Sequence, residues 1–259
     1  MQHAGEFRLT DTLLHRLAQA RSVLVLTGAG MSAESGIPTF RDAQTGIWSK
    51  FRPEELATPA AFAADPDRVW RWYQARRQAV REARPHAGHR ALVELESLVG
   101  ELNIVTQNVD GLHQLAGSGN VSELHGNIMR SKCHITLRPI GREWIEESPH
   151  SPPRSPYVQD GLARPDVVWF GEALPTAAVE AAVAAAGRCD FCFSVGTTSL
   201  VQPAASLPLY ALEHGAPLVE INPAPTPLSP HAEQCLRGNA SQVLVTLVRQ
   251  LRAMKQENE

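Results

Sequence analysis

"TGAGMSAESGIPTFRD", Thr27–Asp42, decides how the rest of the chain is read. It follows the β-branched apolar run "SVLVLT" (22–27), so a Gly-rich turn stands at the end of a buried strand. Gly28 and Gly30, with Ala33 where a third small residue is expected, permit a tight turn. Such a turn brings backbone N–H groups close to a pyrophosphate at a helix start. The pattern is short, and a turn that binds nothing has the same residues. An ordinary dinucleotide fold next requires a second strand ending in an acidic residue about 20 positions on. Here "ESGIPTFRDAQTGIWSKF" continues instead as a polar loop suited to fold over a dinucleotide. Within it Arg41 can pair with a phosphate, and Phe40 can shield a reactive ribose carbon from water.

Further apolar runs follow at "ELNIVT" (101–106), "DFCFSV" (190–195), "APLVEI" (216–221) and "SQVLVTLV" (241–248). Continuous runs of this kind are strands covered on both faces. Helical stretches separate them at 67–83, 88–99 and 175–187, and a first helix is expected within residues 1–22. The alternation predicts an α/β fold with a Rossmann-like, doubly wound parallel sheet. Clustered prolines and charges over 129–165 break the rhythm and predict a small inserted module, leaving 1–128 and 166–259 as the Rossmann-like domain.

A length of 259 residues, 43% of them hydrophobic, suffices for one large core. A net charge of -3 supplies no basic excess for a phosphate backbone, so nucleic acid is not an expected partner. Without a run of 18 apolar residues no membrane partner is expected, and without a secretory leader the expected location is cytoplasmic. Cys189 and Cys192 form a C-x-x-C. Placed in one strand they would point to opposite faces, which favours core packing over metal binding.

The run 101–106 leads into "TQNVDGLHQLAG" (106–117), so Gln107, Asn108 and Asp110 stand just past a strand's carboxyl end, where open α/β sheets place ligands. Two amides and a carboxylate can grip a carboxamide and ribose hydroxyls. In "ELHGN" (123–127), His125 precedes a glycine that leaves room for substrate, and imidazole is the natural general base for a sugar hydroxyl.

"GAGMSAESGIPTFRD", "TQNVDGLH", "LHGN", "PDVVWFGE" (165–172), "VGTTSLVQPAA" (195–205) and "EINPAP" (220–225) occur in one order over residues 15–250. In that order and spacing they resemble the sirtuin family of NAD-dependent protein deacylases. The resemblance implies that NAD is consumed as co-substrate and that acylated-lysine proteins are the partners. It places Gly28, Ala29, Gly30, Glu34, Thr39, Phe40 and Arg41 along the NAD loop, and Gln107, Asn108 and Asp110 at the nicotinamide and its ribose. Gly196, Thr197, Thr198, Asn222 and Ala240 fall on the adenosine side. His125 matches the catalytic histidine, with Asn108 and Asp110 beside it. By the same resemblance the acyl oxygen attacks the ribose carbon as nicotinamide leaves. His125 then deprotonates a ribose hydroxyl, and water yields lysine plus O-acyl-ADP-ribose. Val168, Trp169, Phe170, Gly171 and Glu172 would form a strand edge for an extended peptide.

Tyr73 and Arg76 lie three apart on one helical face, and resemble the Tyr-x-x-Arg pair of sirtuins that remove succinyl, malonyl or glutaryl groups. A guanidinium and a phenol suit a carboxylate. Acidic acyl groups are therefore the expected cargo, with acetyl second. One departure is plain. The family's small module carries two C-x-x-C pairs around zinc, whereas here Cys133 has Thr136 as its counterpart and "SPHSPPRSPY" contains no second pair. His134 and His150 lack regular ligand spacing, so zinc is not expected, and Trp144, Ile145 and Tyr157 are candidates for an apolar substitute core. Two other functions use the same residues: NAD glycohydrolysis or ADP-ribosyl transfer, and non-catalytic NAD sensing.

Overall fold

The computed structural model describes residues 7–37 and 52–257; Thr39, Phe40 and Arg41 lie outside the described residues. The strands are β1 (Ser22–Thr27), β2 (Glu101–Thr106), β3 (Val121–Glu123), β4 (Gly126–Cys133), β5 (Pro139–Ile140), β6 (Ala163–Val167), β7 (Phe191–Val195), β8 (Leu218–Ile221) and β9 (Gln234–Leu236). The helices are α1 (Asp11–Gln19), α2 (Pro53–Leu56), α3 (Pro59–Ala64), α4 (Pro66–Glu82), α5 (Ala87–Leu98), α6 (Leu112–Ala116), α7 (Arg142–Glu147), α8 (Thr176–Arg188), α9 (Leu207–Glu213) and α10 (Ala240–Glu257).

The larger sheet has the order β3-β2-β1-β7-β8-β9, every pair parallel. In the central strand Val23 and Val25 face one apolar layer with Leu17 of α1, Leu92 of α5 and Leu247 of α10. Leu24 and Leu26 face the other, with Ala182 and Ala185 of α8 and Ala211 of α9. The period of two inside an unbroken apolar run is therefore real, and both faces are covered. The chain leaves β1 toward β2 and β3 on one side and later fills β7, β8 and β9 on the other. The switch in direction lies between β1 and β7, where such sheets open a ligand crevice at their carboxyl ends.

The run 241–248, expected as a strand, is instead the start of α10. Ala240, Val243, Leu244, Leu247, Val248 and Leu251 are its buried residues, the three-and-four spacing of one helix face. The β-branched composition misleads because the helical period becomes plain only when the run is read past 248. Cys189 and Cys192 pack in the core as expected, but on one side rather than opposite faces, since both join the layer formed by α8 and α9. β7 begins at Phe191, so Cys189 caps α8 and strand alternation does not relate the two. Burial pushes the Cys189 thiol up to about 11 and the Cys192 thiol well above its usual value.

The smaller sheet, β5-β4-β6, is antiparallel and its pairing runs from Gly126↔Val167 to Cys133↔Ala163. A register shift between Asn127 and Ser131 interrupts the ladder. Arg77 of α4 takes up backbone acceptors there: its Nε donates to the Ile128 carbonyl at 2.6 Å, and its Nη2 to the Arg130 carbonyl at 2.7 Å and Ser131 Oγ at 2.9 Å. α4 thus docks on this sheet, capped by Asp65, whose Oδ1 accepts from the Arg68 amide at 2.9 Å, with Pro66 in its first turn.

Candidate active site

The carboxyl ends of β1, β2, β7 and β8 deliver Gly28, Gln107, Gly196 and Asn222 to one rim. The helix start expected at the Gly-rich turn is two short 3-10 turns, Ala29–Met31 and Ala33–Ser35. The turn is hydrogen-bonded directly to the end of β7. Gly28 donates to the Val195 carbonyl at 3.0 Å and Gly30 to the Gly196 carbonyl at 2.9 Å. The Ala29 amide has no partner among the described residues and remains a donor. A Cβ on Gly30 would stand 2.8 Å from Gly196 Cα, and one on Gly28 would stand 2.8 Å from the Gly196 carbonyl oxygen. Gly196 itself has φ +61, and a Cβ there would meet the Met31 nitrogen at 2.5 Å. The three glycines are thus required by backbone-on-backbone packing, whatever they bind. Gly196→Ala is expected to lower stability by about 2–3 kcal/mol, checked by urea unfolding; a loss below about 0.5 kcal/mol would contradict this packing account.

Behind the rim Asn108, Asp110 and Ser32 form one buried network. Asn108 Nδ2 donates to the Gly28 carbonyl at 2.9 Å and to Ser32 Oγ at 3.0 Å, and Ser32 Oγ donates to Asp110 Oδ2 at 2.7 Å. Asp110 Oδ1 accepts the Leu112 amide at 2.8 Å. Burial raises the Asp110 pKa, opposed by these hydrogen bonds. Each carboxylate oxygen accepts one hydrogen bond, which fixes Ser32 and the turn into α6, and the Asn108 amide is held with its Nδ2 occupied. Ser32 is the residue the sequence reading missed. The signal was a small hydroxyl inside a Gly-rich turn, which reads as simple turn chemistry.

His125 stands beside this network. Its Nδ1 lies 3.0 Å from the Gln107 carbonyl. A carbonyl only accepts, so Nδ1 carries the proton and Nε2 presents its lone pair. Burial lowers the imidazole pKa, and the Gln107 carbonyl partly offsets this. The neutral, proton-accepting form therefore persists to lower pH than for an exposed histidine.

The His125 carbonyl accepts the Val168 amide at 2.9 Å, which ties this histidine to residues 168–172. That segment is not a strand edge as expected. β6 ends at Val167, and the chain turns, with Gly171 at φ +86. The amides of Val168, Trp169, Phe170 and Glu172 bond to His125, Glu172, Ala57 and Trp169 respectively, whereas the Gly171 amide has no partner among the described residues. Arg164, itself buried, grips both Glu172 oxygens at 2.5 and 2.8 Å. Burial raises the Glu172 pKa, but Arg164 outweighs it and holds the group below the usual carboxylate range.

Trp169 leads to the expected acyl pair. Its Nε1 donates to Tyr73 Oη at 3.0 Å in a cluster that also holds Phe62, Ile128 and Val167. Tyr73 Oη accepts that bond and keeps its own O–H to give. Burial pushes the phenol up to about 12, so it remains a donor. Arg76, one turn on along α4, has its guanidinium 5.0 Å from the centroid of the Trp72 ring and its pKa lowered by burial. A desolvated cation and a buried phenol donor thus share the helix turn that abuts Trp169.

At the carboxyl ends of β7 and β8 Asn222 Nδ2 donates to the Thr197 carbonyl at 2.6 Å, and Thr197 Oγ1 lies 2.9 Å from Ser199 Oγ. Thr198 is exposed. Glu34 reaches the first turn of α10, where its carboxylate accepts the Ser241 amide at 3.0 Å and the Ser241 hydroxyl, beside Ala240. In the smaller sheet Cys133 offers one thiol, its Sγ accepting the Thr136 amide at 3.5 Å. Cys133 packs with Trp70, Ile140, Ala163, Ile145, Tyr157 and Val158, and His134 Nδ1 accepts the Leu162 amide at 2.9 Å. Among the described residues no group of three His, Cys, Asp or Glu side chains is placed to hold a metal ion. These residues do not fit the four-thiolate zinc site of the resembled family.

The sequence profile of the Sir2 family matches residues 28–203. An NAD-dependent protein deacylase of Thermus thermophilus is 51% identical over 90% of this chain and 91% of its own length. The crystal structure of a Sir2 homolog–NAD complex superposes with a TM-score of 0.87 at 44% identity, covering 97% of each chain. A mutant Sir2 homologue complexed with 2'-O-acetyl ADP ribose gives 0.85 at 45% identity, covering 95% of this chain and 98% of that one.

Proposed function

The chain belongs to the Sir2 family, and from that premise we propose that it is an NAD-dependent protein-lysine deacylase whose preferred cargo is an acidic acyl group. The observation that carries the reading is His125, tied to Gln107 and Val168 between the Asn108–Ser32–Asp110 network and the Tyr73–Trp169 pair. NAD, when bound, supplies a glycosidic bond whose rupture releases nicotinamide and opens a ribose carbon to attack. The glycine rim accommodates its backbone-close passage, and the Ala29 amide is free to donate to it. Gln107 offers its side-chain amide, and Asn108 its side-chain carbonyl oxygen, to the carboxamide and ribose.

His125 Nε2 takes a proton from a hydroxyl in reach, which a buried neutral imidazole does efficiently near neutral pH. Tyr73 and Arg76 receive a carboxylate at the far end of the acyl chain, one by a directional O–H bond and the other by charge. Peptide main chain is met by the Gly171 amide and the carbonyls around it rather than by a regular ladder.

Mass spectrometry of an acylated peptide incubated with NAD tests this reading. Free lysine and nicotinamide should appear in equal amounts. Nicotinamide and ADP-ribose without deacylated peptide would favour NAD hydrolysis instead.

The same proposal includes a small sheet that needs no zinc. Extensive treatment with a chelator is expected to leave the melting temperature and the deacylation rate unchanged, with well under one zinc per chain by elemental analysis. A fall of several degrees on chelation would refute it.

A further inference from the structure

A groove of about 380 Å³ lies between α8 and residues 202–203, and it begins where the substrate-facing turn ends. Glu172 closes that turn and also lines the groove, so the two are continuous. Leu174, Val179 and Pro203 give the groove apolar walls, and Glu180 gives it a carboxylate. The two carboxylates differ. Glu172 is consumed by its paired bonds to Arg164. Glu180 is exposed, with no hydrogen bond or ion pair among the described residues. It stands on the helix "TAAVEAAVAAAGR", whose one other charged group, Arg188, sits at the opposite end paired with Glu101. A single uncommitted negative charge thus overlooks an apolar trough that continues from the turn at residues 168–172.

We propose that this groove is a second substrate subsite, in which Glu180 selects a lysine or arginine flanking the acylated lysine. The proposal rests on the reading that acylated peptides dock along residues 168–172. A basic side chain suits the site in both its parts, since its methylene stem can lie along Leu174, Val179 and Pro203 while its charged head meets Glu180 at the open side. An acidic residue in the same place would bring like charges together, and a short polar one would leave the apolar walls bare.

The test uses acyl-lysine peptides of one parent sequence in which a single Arg, Gln or Glu is walked through the flanking positions. Turnover is measured with NAD, and binding is measured separately by fluorescence anisotropy of labelled peptides. At one flanking position Arg should exceed Glu by about threefold or more in binding and in kcat/KM, an advantage that shrinks at high salt. Glu180→Gln should erase that ratio and Glu180→Arg should invert it, each variant being compared with itself across peptides and checked by its melting temperature. Turnover without any Arg preference, or a preference that survives in Glu180→Gln, overturns the subsite while leaving the deacylase reading intact. A Glu180-dependent Arg preference in binding, with no turnover of any peptide, sustains the subsite and strikes the deacylase reading instead.

Discussion

His125→Ala reduces deacylation by roughly 10²–10⁴-fold, the usual contribution of a positioned general base, and leaves NAD binding measurable by calorimetry. The size of the effect follows from how the ring is held. The Gln107 carbonyl fixes the Nδ1–H tautomer, so the lone pair is always on Nε2. Burial depresses the pKa below the usual 6.5, with the carbonyl bond opposing in part. The sign for catalysis follows: lowering the pH removes activity only once the imidazole gains a proton, so the acidic limb of the kcat profile lies below pH 6.5. A limb centred above that value, or a variant losing less than about tenfold, would assign the base elsewhere.

Arg76→Ala costs one to two orders of magnitude in kcat/KM on a succinyl-lysine peptide and little on its acetyl counterpart. Hydrogen bonds to a charged group contribute about 1.5–3 kcal/mol, which is roughly 10- to 150-fold. The effect is selective because the acetyl group has no carboxylate to lose. Tyr73→Phe should show the same selectivity at smaller size on top of a loss common to both peptides, since it removes the O–H that reaches the carboxylate and also the oxygen that accepts Trp169 Nε1–H. Kinetics on the paired peptides check both variants. Equal losses on both acyl groups would mean that the pair shapes the pocket rather than reads the acid.

The sheet was legible because its central strands are unbroken apolar runs. Val23 to Leu26 cannot be other than covered on both faces, and the runs at 101–106 and 190–195 pair with them in parallel. The edge strands Val121–Glu123 and Gln234–Leu236 were not legible, since three residues are too few to establish a period. The stretch 241–248 misled because β-branched residues can fill one face of a helix that packs on a sheet.

At the candidate site, the gathering of Gln107, Asn108, Asp110 and His125 past the strand ends was legible and their bonding was not. The sequence offers Asn108, Asp110 and His125 as a cluster, but gives no sign that Ser32 joins the first two. Nor does it tell that residues 168–172 form a turn braced by Arg164. The glycines at 28 and 30 are read from sequence as making room for phosphate, while both pack against the backbone of Gly196. A one-dimensional pattern cannot separate a glycine required by a ligand from one required by a neighbouring strand.

The most direct measurement is kcat/KM for a succinyl-lysine peptide and an acetyl-lysine peptide of identical sequence, at saturating NAD, with nicotinamide release counted alongside. Faster loss of the succinyl group, each event matched by one nicotinamide, is the predicted result. Equal or faster loss of acetyl, or nicotinamide release uncoupled from either, would contradict the account.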